Sequence, residues 1–91
     1  MNKEIEELIL KINEYQTIKL MIVKNEIEYI INNNIISQIK IESVFDKLLD
    51  LTYWYGSDIE SLFYKFIEYY KNINNEVCND YEKYYKKILK F

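Results

Sequence analysis

Glu42, Asp46 and Asp50 stand at i, i+4 and i+8, the spacing that lines three carboxylates along one edge of an α-helix. Such a row could hold a divalent cation or, if desolvated, exchange protons with a substrate. A solvated helix face accounts for it more simply, because no oxygen-rich loop or second carboxylate group lies near it in sequence. Beside this edge Ile35, Ile39, Leu49 and Tyr53 form a broken apolar stripe, with Trp54 at its flank. One reading is a central helix that packs neighbours on two sides. The sharper reading is an acidic–aromatic patch of Glu42, Asp46, Asp50, Tyr53 and Trp54 that meets a basic protein surface, aromatic anchors ringed by charge being typical of interface hot spots. The same patch could occupy a nucleic-acid site on another protein by charge mimicry.

The segment Tyr81-Glu82-Lys83-Tyr84-Tyr85-Lys86-Lys87 interleaves aromatic rings with lysines, as single-strand binders do. Its tyrosines recur at helical spacing, so core packing is the stronger account. A formal net charge of −3 disfavours electrostatic capture of nucleic acid or of a membrane surface.

Much other chemistry is excluded by residue type. The chain has no His, Arg, Ala or Pro and a single glycine, Gly56. Without His there is no Ser-His-Asp triad, Cys-His pair or histidine metal site. One glycine cannot build a phosphate-cradling loop, and without Arg there is no bidentate grip on phosphate or guanine. Cys78 is the only cysteine, which rules out an internal disulfide and a thiolate zinc site; it reads as a small buried apolar residue. No catalytic, cofactor-binding or metal-binding residue is assigned, and no cofactor is expected. The missing types have GC-rich codons, whereas the abundant Ile, Lys, Asn and Tyr have AT-rich ones. The ten tyrosines therefore owe more to an AT-rich genome than to function.

The elements that must position these residues are helical. With 91 residues the chain makes one domain, 1–91, burying roughly 65% of its unfolded surface, a workable but marginal core. Punctuation falls at Asn32-Asn33-Asn34, Gly56-Ser57 and Asn72-Ile73-Asn74-Asn75. The first stretch, about Lys3 to Ile31, places Ile5, Leu8, Ile9, Ile12, Tyr15, Val23, Ile27 and Ile30 on one face; so long a helix has a break near Gln16 as its alternative. In the second, Ile41, Val44, Leu48, Leu51 and Tyr55 follow 3-4-3-4 spacing, with Phe45 beside them. Gly56 sits where a left-handed C′ residue belongs, and Ser57 to Glu60 reads as a capping box. The third stretch turns Ile59, Leu62, Phe63, Phe66, Ile67, Tyr70 and Ile73 inward. The fourth turns in Val77, Tyr81, Tyr84, Tyr85 and Ile88, and these last two stretches could fuse.

These patterns predict an all-α fold, a small antiparallel bundle of about four helices. The longest aliphatic run, Leu20 to Val23, is too short to span a bilayer, and the acidic first residues do not form a signal peptide, so the expected compartment is cytoplasmic. The expected function is non-catalytic: a protein–protein interaction module, as in phage or mobile-element anti-defence proteins, antitoxins and immunity proteins, with a protein partner. The alternatives are a self-assembling structural subunit that buries Leu10, Ile18, Met21 and Tyr29 against its own copies, and a nucleic-acid-binding regulator using the Lys/Tyr-rich last helix.

Overall fold

The computed structural model of the chain describes residues 2–90. These are 88% helical and contain no strand, so the fold is all-α. The elements are α1 (Lys3–Asn32), α2 (Gln38–Tyr55), a single 3₁₀ turn (Gly56–Ile59), α3 (Glu60–Tyr70) and α4 (Asn75–Leu89). No helix among the described residues is long and apolar enough to cross a membrane.

Asparagine and serine do the work that proline and glycine would do in another chain. Asn2, Ser37 and Asn74 each cap a helix, their side chains accepting from the amides of Glu4, Lys40 and Val77. Asn34 turns the chain after α1 with φ +51°, a left-handed conformation that Asn tolerates. Asn74 also keeps α3 and α4 apart, so the fused alternative does not occur.

At Gly56 the expectation needs correction. Its φ of +62° is positive, but its ψ of −137° lies outside the left-handed helical basin, in a region essentially reserved for glycine. The capping box does not form either. Past Gly56 the 3₁₀ turn runs directly into α3, with Ile59 and Glu60 both in the right-handed helical region, so Ser57 offers its backbone carbonyl to the Glu60 amide, and no side-chain cap bond is made.

α2 lies at the centre. It buries Ile41, Val44, Leu48 and Leu51 of the 3-4 seam and Phe45 beside them, and the last seam residue, Tyr55, is half-buried against the core. Phe45 is packed between helices: its ring centroid is 4.9 Å from that of Phe66, 5.8 Å from Phe63 and 4.7 Å from Tyr81, on which it stacks. Tyr85 stacks on Phe63 at 4.4 Å, and the buried Cys78 faces the carbonyl of Ile67. Tyr69 donates to the carbonyl of Ile35 at 2.7 Å and so fastens the α1–α2 connection to α3. α1 and α2 run in opposite directions, as do α3 and α4: Lys19 pairs with Asp50 and Lys47 with Glu26 along the first pair, and Phe63 and Ile67 meet Tyr85 and Cys78 along the second.

The packing differs from an even bundle in two ways. Among the described residues α1 and α4 each pack on α2 and α3 but make no substantial contact with each other. α1 is also continuous, with no break near Gln16, and at about 45 Å it is far longer than the roughly 27 Å of α2. Its second half joins the core through Val23, Ile27 and Ile30. Its first half does not, and every residue from Lys3 to Tyr15 is exposed. The inward stripe expected of Ile5, Leu8, Ile9, Ile12 and Tyr15 is thus corrected: the stripe exists, but the rest of the chain is too short to cover it. Tyr84 and Ile73, also expected inside, are exposed at the ends of their faces.

Candidate functional site

The carboxylate row lies where the side of α2 meets α4. Glu42 is half-buried, and Asp46 and Asp50 are exposed. Each has a partner within the chain. Glu42 accepts from the Gln38 amide at 3.1 Å, Asp46 from the Tyr81 hydroxyl at 2.9 Å, and Asp50 lies 3.5 Å from the Lys19 ammonium. Burial, followed by the bond to Asp46, pushes the Tyr81 hydroxyl well above its ordinary range, so it stays protonated as the donor. Asp50 and Asp46 therefore act first as structural acceptors that tie α1 and α4 to α2, while Glu42 is engaged within α2 itself. Among the described residues no group of His, Cys, Asp and Glu is placed to hold a metal ion.

A groove of about 480 Å³ runs beside this row, with Asp46, Leu49, Asp50 and Tyr53 on one wall and Tyr84, Lys87 and Ile88 on the other. Tyr53 is 71% exposed and stands at its rim; Trp54 is 44% exposed. Trp54, four residues beyond Asp50, continues the row by one more turn, and it does not line the groove. The structure thus brings Asp46, Asp50 and Tyr53 together around the groove, with Glu42 one turn before Asp46 and Trp54 one turn beyond Asp50, both outside its lining. It also supplies a wall from α4 that the pattern of α2 alone could not reveal. Lys19 and Lys87 bring positive charge to both sides of the row, which dilutes its acidity. Of the apolar stripe, Ile35 and Leu49 pack against the core while Ile39 is exposed.

A second surface is larger and has no such internal satisfaction. Along the first half of α1, Ile5, Leu8, Ile9, Ile12 and Tyr15 remain 39% to 63% exposed. Over the body the stripe turns inward through Val23, Ile27 and Ile30, while Ile18, Ile22 and Tyr29 stay exposed along its flank. Where α1 runs onto α2 a groove of about 280 Å³ opens, lined by Tyr15, Ile18, Lys19, Ile22, Val23 and Lys47. Further along, a mostly apolar groove of about 570 Å³ lies between Ile22, Tyr29 and Ile30 of α1 and Ile35 and Lys40.

No family model, curated protein or solved structure matches the chain. The chemistry of these two surfaces is what bears on function.

The Lys/Tyr-rich segment is divided by the fold. Tyr81 and Tyr85 face the core, and Lys86 pairs with Glu82 at 3.1 Å. Tyr84 alone of its three tyrosines is left exposed, so the segment presents no row of free rings on which successive bases could stack.

Proposed function

We propose that this chain is a non-catalytic protein-interaction module whose docking element is the first half of α1. The carrying observation is the exposed apolar face from Ile5 to Tyr15, for which the chain offers no cover. Exposed apolar surface of this extent marks protein interaction sites. A helix of this kind also gains most of its stability from packing rather than from intrinsic propensity. The absence of His and Arg, the burial of Cys78 and the internal engagement of all three α2 carboxylates favour binding over catalysis. A small acidic protein with such a face fits the role of an inhibitor or antagonist that acts by occupying its target.

A second contact on the α2–α4 face is favoured by the exposure of Tyr53 and Trp54 on the most firmly held helix. A double test separates the two surfaces. Ile12→Asp is expected to abolish capture of the native partner with little change in the unfolding midpoint of the single chain, because Ile12 lies outside the core. Asp46→Lys with Trp54→Ala is expected to weaken capture only if the α2–α4 face takes part. Full capture by Ile12→Asp would contradict the α1 assignment.

A further inference from the structure

We infer that the exposed half of α1 is covered by the same half-helix of a second copy of this chain, running antiparallel to it; this rests on the reading of that face as a docking surface. The spacing supports a helix pair. Ile5, Leu8, Ile12, Tyr15, Lys19 and Ile22 follow each other at 3-4-3-4-3, the seam of a two-stranded coil. In antiparallel order the two phases of the seam meet in layers: Ile5 of one copy against Ile22 of the other, Leu8 against Lys19, Ile12 against Tyr15. Lys19 is a tolerable member because its ammonium is held by Asp50, leaving its aliphatic stem for the seam.

The body prepares a seat for the arriving tip. In this register Ile5 and Leu8 of the second copy reach the groove lined by Ile18, Lys19, Ile22 and Lys47. The two lysines of that groove already pair with Asp50 and Glu26, so the seat is charge-balanced, whereas the tip carries Glu4, Glu6 and Glu7 against a single Lys3. A parallel pair would instead set two acidic tips side by side, which fixes the orientation by charge.

The size of the missing cover fits as well. The chain exposes 6418 Å², whereas a compact monomer of this mass exposes about 5,700 Å². Its radius of gyration is 14.8 Å against about 12 Å for a compact chain of this length. The excess of roughly 700 Å² per chain, about 1,400 Å² for a pair, falls within the range of specific interfaces.

Sedimentation equilibrium on the whole chain tests this, together with thiol pairing. The expected mass is that of two chains, falling towards one on dilution, and Ile12→Asp at the centre of the seam raises the dissociation constant at least ~30-fold. A mixture of Ile5→Cys and Ile22→Cys chains is expected to form the mixed disulfide in preference to either symmetric one. Cys78 stays out of the exchange because burial pushes its thiol up to about 11. A single-chain mass at every concentration, or preferred pairing of Ile5→Cys with itself, overturns the inference. If the monomer loses a co-purifying protein on Ile12→Asp, the second copy is wrong and α1 is still the docking face. If that protein is indifferent to Ile12→Asp, both readings fail.

Discussion

The two halves of α1 have similar composition and a continuous apolar stripe, yet they meet opposite surroundings. From Val23 to Ile30 the stripe is buried against α2 and α3; from Ile5 to Tyr15 the same kind of stripe is bare. The difference is one of reach. α2, α3 and α4 have 18, 11 and 15 residues against 30 in α1, so they can cover only part of it. Amphipathic spacing states that a face will be covered. Which chain covers it depends on how much chain is at hand.

If that division is right, substitutions in the body and in the bare half must act on different quantities. The largest effect on stability is expected from Phe45→Ala, which removes the ring that packs against Phe63, Phe66 and Tyr81. A loss of about 3–5 kcal/mol in urea unfolding would leave so small a domain close to unfolded. An alkaline effect comes next. Burial, with Glu82 adding to it, raises the Cys78 thiol from 9.0 to about 11. The folded state therefore favours the protonated thiol, and this contribution is fully present below pH 9 and lost as pH rises through about 11. A shift of this size corresponds to roughly 2–3 kcal/mol. The thermal midpoint is expected to fall across that window, and Cys78→Ala to flatten the part between pH 9 and 10, before the buried Tyr81 and Tyr85 begin to act in the same direction.

Tyr81→Phe keeps the stack on Phe45 but removes the bond to Asp46. A loss of about 1 kcal/mol in urea unfolding is expected at neutral pH, and much less when Asp46 is already Ala. The smallest effect belongs to the bare half. Ile9→Ala, measured where the chain is a monomer, is expected to change stability by no more than about 0.5 kcal/mol, as at other surface positions. A loss there near that of Phe45→Ala would mean that the two halves are not distinct.

Much of the body was legible in sequence because its signals are local. The 3-4 seam of α2 marks four residues that are buried and the half-buried Tyr55, and the asparagine clusters mark the turns on either side of α2–α3. Ser57 and Glu60 misled, because a capping box and a 3₁₀ passage share the same residues and differ only in whether the backbone leaves the helix. The carboxylate row was legible as an edge of α2. Its engagement by Lys19 and Tyr81 was not, since those partners come from helices 31 and 35 residues away. Trp54 continues the row one turn past Asp50, but the groove closed by α4 does not reach it, and the spacing within α2 could not show where that wall ends. The bare stripe had one warning sign, the length of the first stretch relative to the others. Periodicity alone cannot distinguish a face covered by its own chain from one covered by another.

Amide hydrogen exchange along α1, followed as a function of protein concentration, tests the central claim most directly. The account predicts strong protection from Leu20 to Ile31 at every concentration, and protection from Ile5 to Tyr15 that rises towards it as pairs form. Fast exchange from Ile5 to Tyr15 that does not respond to concentration would contradict it.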